Sequence, residues 1–295
     1  MQLSSRWKLS SLFTTPLSSC GKEINSVRFQ RFAGTRPARQ AVRVSSPTLR
    51  IGSVPYLNAV PLTCGIEREC HFLPPSQLAA ELHAGHLDAA LVSVTEVLLH
   101  DGYDVLDGAA IGSDGAVASV FLAHREPLTE VRTIHLDPAS CTSVNLLRVL
   151  LAERGLKPEF LPLPDYATAP RLDHVLLIGN PAIEFRRAPH PHRLWDLGEA
   201  WQELTGLPFV YAVWALRRGA SPELRARLLA AQSAGLATLP QIIQERPEYD
   251  PEFRRAYLGG HIRYGLGPRE KAGLARFAEL LQQHSGRPVF LPRYV

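Results

Sequence analysis

One local pattern occurs twice in this chain and restricts its fold more than any other feature. In Leu49–Leu62 (LRIGSVPYLNAVPL) a short apolar run, Leu49 and Ile51, leads into Gly52-Ser53 and a polar turn with Tyr56 and Asn58. Pro61-Leu62 then opens an expected helix. In Arg132–Glu153 a run ending at Leu136 enters Asp137-Pro138-Ala139-Ser140-Cys141-Thr142-Ser143, and Leu146, Leu147, Leu150 and Leu151 follow at helical spacing. Strand, polar turn and helix in that order are the unit of an α/β sheet. The turn also gathers hydroxyls, amides and unpaired backbone N–H groups at a helix N-terminus, which suits an anionic ligand. Asn58 is uncharged and both donates and accepts hydrogen bonds. As a bare pattern it is equally a turn former or a helix cap.

Between and after the two copies the alternation continues. Cys70–Leu73 reads as a strand, Ser76 as the cap of a helix over Gln77–Ala84, and Gly85 as its end. Leu87–Val92 (LDAALV) is a compact apolar strand that runs into Ser93 and a short helix to His100, where Ser93 and Glu96 have the spacing of a capping box. Val117–Ala123 (VASVFLA) is a strand crossing to a second α/β unit. That unit holds the second copy of the pattern, the strand His174–Ile178 and a helix within Leu194–Glu203. Phe209–Leu216 (FVYAVWAL) is the return strand. From Ser221 the chain reads as helices over Leu224–Ala231, Ala234–Arg246, Pro251–Leu258 and Pro268–His284, with an edge strand in the final PVFLPRYV. Two α/β units joined by two strand crossings are the pattern of a two-lobed, periplasmic-binding-protein-like (type II) fold with a helical C-terminal segment. The ligand cleft lies between the lobes, at the carboxyl ends of the strands. The expected lobes are 48–122 with 215–295, and 123–214.

Composition excludes several function classes. A chain of 295 residues is long enough for two modest domains and a sizeable core. Its formal net charge of +4 arises in residues 1–47, which carry eight Lys or Arg and the single acid Glu23; the remainder is at −3. The body therefore has no electrostatic footprint for nucleic acid. No run approaches the ~20 apolar residues of a membrane span. Cys20, Cys64, Cys70 and Cys141 form no CxxC pair, and the eleven histidines form no HExxH. Neither a disulfide framework nor a metal site is expected. Residues 1–47 are rich in Ser and Arg and lack a period; they read as a disordered basic extension, a transit-like segment or a start assigned too far upstream. Trp195, Trp201 and Trp214 read as core, and Arg186-Arg187 and Arg254-Arg255 as solvated faces.

Six segments in sequence, IGSVPYLNAVPL, LDAALVSVTEVL, AIGSDGAVASVFL, LDPASCTSVNLLRVLL, LLIGNPAIE and TGLPFVYAVWAL, resemble the chorismate dehydratases that open the futalosine route to menaquinone. The resemblance covers the body from about Leu49 and leaves out the first 47 residues. It implies a cytoplasmic two-lobed enzyme, free of metal and cofactor, that removes water from chorismate to give 3-[(1-carboxyvinyl)oxy]benzoate. The sister dihydroxynaphthoate synthase carries a Cys-Pro-Asn-Asp run that is absent here. One departure is Asn180, where the family is expected to have Gly-Asp at this chain's Gly179-Asn180.

Chorismate bears two carboxylates. The Ser140, Thr142 and Ser143 turn is suited to one of them, and Ser53 and Ser93 are candidates in the other lobe. Tyr56 is placed to pack a ring against the ligand, and Ser113 and Ser119 flank the crossing strand. Asn58 is the expected catalytic residue. Asp88, Glu96, Asp114, Asp137 and Glu184 read as caps or surface charges, and a carboxylate base beside a dianion meets like-charge repulsion. The expected reaction is a substrate-assisted elimination in which the enolpyruvyl carboxylate takes the proton. The competing readings are a solute-binding or sensor protein of the same fold for a small organic acid, and the sister synthase. No nucleic acid or membrane partner is expected.

Overall fold

The computed structural model of the protein describes residues 49–139 and 141–295. The expectations for residues 1–47 and for Ser140 lie outside the described residues. In chain order the first elements are β1 (Ile51–Ser53), β2 (Cys70–Phe72), α1 (Pro75–His83), β3 (Ala89–Ser93), α2 (Val94–Leu99) and β4 (Tyr103–Ser113). The second unit comprises β5 (Val120–His124), β6 (Thr133–Leu136), α3 (Cys141–Glu153), β7 (Glu159–Pro162), β8 (His174–Ile178), α4 (Gly179–Arg187), β9 (Arg193–Asp196) and α5 (Leu197–Thr205). The chain closes with β10 (Phe209–Arg217), α6 (Pro222–Ala237), α7 (Leu239–Glu245), α8 (Pro251–Ala256), α9 (Pro268–Ser285) and β11 (Arg293–Tyr294).

The strands form two sheets, ordered β11-β4-β10-β3-β1-β2 and β7-β6-β8-β5-β9. The central strands are the continuous apolar runs: β8 (HVLLI) is buried throughout, as is all of β3 except Ser93, because helices cover both faces. Each sheet is entered from the opposite lobe by one strand, which runs antiparallel to its neighbours. These are β10 between β3 and β4, and β5 between β8 and β9. The chain therefore changes lobes within 114–119 and 206–208. The boundaries expected at 122/123 and 214/215 would cut β5 and β10, each of which pairs wholly within one sheet.

The main apolar core runs through both lobes, with Trp201 and Trp214 fully buried and Trp195 half-buried beneath the Arg154 guanidinium at 4.6 Å, and a smaller core around Phe121, Leu177 and Phe185 lies in the second lobe. Helix α3 of the second lobe packs on α2, and α9 packs on both α3 and β10. Among the described residues no helix is long and apolar enough to cross a membrane.

Four local expectations are corrected. Leu57–Leu62 is a 3₁₀ turn rather than the start of an α-helix, because Pro61 within it has no N–H to donate. Helix α1 begins at Pro75, whose ring presets the first helical φ, so Ser76 lies inside the helix and caps nothing. Helix α6 runs unbroken to Ala237 from its Ser221 cap. Arg254 is buried rather than solvated: it donates to the carbonyls of Ile243 at 2.6 Å, Glu248 at 3.1 Å, Gln244 at 3.3 Å and also Tyr249. It thus ties the end of α7 to α8.

Candidate active site

A cleft lies where the carboxyl ends of β1, β3 and β8 meet the crossing segment before β5. Tyr56, Asn58, Ser93, Tyr211 and Ala212 line it from the first lobe, Val117 and Ser119 from the crossing, and Ser143, Ile178 and Gly179 from the second lobe. Among the described residues, none in the lining carries a charged side chain.

The 3₁₀ turn is anchored by the buried side chains of Leu57, Ala59, Pro61 and Leu62, which leaves Asn58 to face the cleft. Helix α6 presses on the turn through Gly235. A Cβ at that position would sit 2.0 Å from the Pro61 carbonyl oxygen, so only glycine permits the approach. The Asn58 carbonyl oxygen is buried and has no hydrogen-bond partner. Its side chain lies beside Tyr257, whose hydroxyl donates to Ser119 Oγ at 2.9 Å. Burial pushes the Tyr257 phenol up to about 12, partly offset by hydrogen bonding to Ser119 and Asn58.

The two lobes are clasped beside the cleft. The Ser93 hydroxyl, at the end of β3, bonds the Thr142 hydroxyl in the first turn of α3 and accepts from Thr142 N at 3.0 Å. Thr95 N in turn donates to Thr142 Oγ1 at 3.0 Å. This corrects the capping-box expectation, since Ser93 makes no bond to its own helix.

On the opposite wall Asp196 holds the crossing segment. Its carboxylate accepts from Val117 N at 3.0 Å and Ala118 N at 2.8 Å while capping α5 through Gly198 N at 2.9 Å and Glu199 N at 3.2 Å. Ala118 is left-handed at φ 65°, a conformation that is strained for a residue with a Cβ. Asp196 thereby fixes the bend that turns Ser119 to the cleft. Asp137, also buried, accepts from Ala139 N at 2.9 Å, the Tyr166 hydroxyl at 2.7 Å and Ile178 N at 3.2 Å. Burial raises its carboxyl despite those donors.

Of the residues expected at the site, Tyr56, Asn58, Ser93, Ser119 and Ser143 line the cleft. Four others do not. Ser53 is buried behind the lining at the end of β1, and its hydroxyl has no partner. Ser113 donates to the Gly115 carbonyl at 2.9 Å and shapes the turn. Thr142 is taken up by the clasp. Asn180 is half-buried in the first turn of α4, where the backbone of Gly179, not the Asn180 side chain, meets the cleft. Tyr211, Tyr257 and Asp196 were not foreseen. Only Asp196 left a trace in the sequence, as an Asp directly before an apolar helical run. The tyrosines lie in stretches that read as ordinary core.

A family model described as menaquinone biosynthesis matches residues 49–283. The chain belongs to the menaquinone biosynthesis family. Within it, the chorismate dehydratase of Thermus thermophilus is 32% identical over 259 residues, covering 77% of this chain and 95% of that one. Among solved structures, a protein of Archaeoglobus fulgidus superposes with a TM-score of 0.63 at 18% identity, covering 81% of this chain and 97% of that one. The periplasmic aliphatic sulphonate binding protein SsuA of Escherichia coli gives a TM-score of 0.56 at 17% identity, covering 85% and 94%. These structural likenesses concern the fold, and they bear out the periplasmic-binding-protein-like expectation for this family member.

Proposed function

We propose that the protein is a chorismate dehydratase, a hydro-lyase that eliminates water from chorismate to give 3-[(1-carboxyvinyl)oxy]benzoate in menaquinone biosynthesis. The observation that carries this reading is the makeup of the cleft. Helices α3 and α4 both begin at it, through Ser143 and Gly179, and their positive N-terminal ends favour an anion where no cationic side chain is present. Ser93, Ser119, Ser143 and Asn58 add neutral donors. The apolar walls, Val54, Leu91, Ile111 and Val120, suit a ring.

The same makeup favours a substrate-assisted reaction. The titratable groups in the lining are Tyr56 and Tyr211, and burial raises both phenols. Neither is a base near neutral pH. The enolpyruvyl carboxylate of chorismate takes the ring proton, the C–H electrons form the aromatic system, and the C–O bond to the ring hydroxyl breaks. The carboxyl passes the captured proton to the departing hydroxyl, which leaves as water, and is restored as the carboxylate. Asn58 holds the leaving hydroxyl, its unpartnered carbonyl oxygen accepting and its amide donating. Orientation of this kind supplies about 7–11 kcal/mol in the best intramolecular cases. Asn180 stands outside the lining, so the charge missing relative to Gly-Asp acts at most at a distance. The described cysteines, Cys64, Cys70 and Cys141, are free thiols, in keeping with a cytoplasmic enzyme.

The test is incubation of the purified full chain with chorismate, with the product followed by mass spectrometry. Loss of one water is expected, with most turnover lost in Asn58→Ala and retained in Glu96→Gln. Chorismate binding without turnover would overturn the enzyme reading in favour of a binding protein of the same fold. The reverse mutant pattern would overturn the mechanism.

A further inference from the structure

Glu96 is not used by the cleft, and its surroundings are unusual. It lies on α2 one turn before His100, and His83 reaches it from the end of α1. His83 Nε2 is 2.8 Å and His100 Nδ1 3.0 Å from the same carboxylate oxygen, Glu96 Oε1. The two imidazoles meet edge-on, with ring centroids 4.6 Å apart. Glu96 Oε1 is buried and, among the described residues, accepts no aligned hydrogen bond, although both imidazole nitrogens stand at ion-pair distance from it. Three ligand-type atoms thus converge on one point.

We propose that His83, Glu96 and His100 form a binding site for a first-row divalent transition metal, zinc foremost, outside the cleft. One ligand atom from each residue lies within 4.8 Å of the other two. A tetrahedral zinc ion with bonds of about 2.0–2.1 Å holds its ligand atoms about 3.4 Å apart. The His–carboxylate separations therefore open by roughly half an ångström, within the reach of side-chain torsions. Two imidazoles and one carboxylate are a donor set that zinc accepts with a fourth position left for water. A hollow lined by His83, His100 and Tyr103 leaves the outer side open for that water.

The surrounding groups support the ion. The Tyr103 hydroxyl is 2.9 Å from His83 Nδ1. With Nδ1 protonated and donating to that hydroxyl, His83 Nε2 presents its lone pair, as in the outer shell of many metal-bound histidines. His100 Nδ1 exchanges a 3.1 Å contact with the Glu96 carbonyl for the metal. The two arginines on the rim are engaged elsewhere: Arg218 is paired with Asp101, and Arg217 donates to the Gly85 carbonyl at 3.4 Å. No residue of the trio belongs to the cleft lining. Helical spacing brings Glu96 and His100 together, but only the fold adds His83, from the end of α1.

The experiment is calorimetric titration of the metal-stripped, untagged full chain with zinc chloride, alongside His83→Ala, Glu96→Gln and His100→Gln. His83 and His100 are exposed, so their variants retain the fold; circular dichroism checks this. The expected result is one zinc per chain, with affinity reduced at least tenfold in each variant. Zinc should also raise the Tm of the wild-type chain and not that of the variants. Cobalt substitution should give visible d–d absorption without a thiolate charge-transfer band. Equal zinc binding by wild type and variants, a thiolate band, or no binding at all would overturn the proposal.

Discussion

Gly235→Ala tests whether α6 sets the position of Asn58. A methyl group there meets the Pro61 backbone at 2.0 Å from its oxygen, 2.6 Å from its carbonyl carbon and 2.7 Å from its Cα. None of these atoms is the end of a flexible side chain. Ordinary contact begins at 3.4 Å, so helix and turn must separate by about 1.4 Å along the worst line. Asn58 sits three residues before Pro61 in the same short turn and moves with it. A displacement near 1 Å typically costs about 100-fold in rate where catalysis rests on orientation. Overpacking costs about 1–3 kcal/mol, and alanine returns up to about 1 kcal/mol of helix propensity, so the net loss of stability is small. Steady-state turnover of chorismate and thermal unfolding, measured on the same samples, separate the two effects. We expect kcat to fall about 100-fold while Tm drops by a few degrees. Gly265→Ala, where the added Cβ meets nothing within 4 Å, is the control and should match wild type. A Gly235→Ala enzyme with wild-type kcat would refute the reasoning, since the turn would then tolerate the shift or Asn58 would not need its place.

The other predictions concern groups around the cleft. Asn58→Ala should abolish most turnover and leave the urea midpoint near or above that of wild type, because it removes a buried oxygen that has no partner in the folded chain. Thr142→Val strips the Thr95 amide of its partner and leaves the Ser93 hydroxyl only the Thr142 backbone N–H; urea unfolding should show a loss of about 1–3 kcal/mol. Asp196→Ala leaves four backbone amides unpaired, two of them at the strained Val117-Ala118 bend, and should cost at least about 3 kcal/mol by the same measurement. Asp137 should reverse the usual acid behaviour of a carboxylate. Burial raises its folded pKa above the unfolded value of about 3.9, so the folded state holds the proton more tightly. Its contribution to stability is therefore fully present below about pH 4 and declines as pH rises through the folded pKa. Denaturation across that range should show the decline in wild type and a flatter profile in Asp137→Asn.

Much of the architecture was legible in the residues alone. Runs such as HVLLI and FVYAVWAL lack polar alternation because both their faces are covered, and that is a local property of the sequence. The order of these runs was enough to read two α/β units, while strand pairing decided where the chain passes between them. The repeated strand–turn–helix pattern located the cleft to within a few residues, and Asn58, Ser93 and Ser143 indeed face it. Tertiary structure decided which polar groups remain available there. Thr142 is held by Ser93, 49 residues away in the chain, and its neighbour Ser143 lines the cleft. Arg254 looked solvated because its partners are backbone carbonyls, which no sequence pattern marks. Tyr211 and Tyr257 looked like core because a phenol in an apolar run carries the same periodicity whether its hydroxyl ends in a cavity or against a neighbour. Periodicity records that a face is buried. What it is buried against depends on contacts between distant segments, and those determine which donors a ligand can reach.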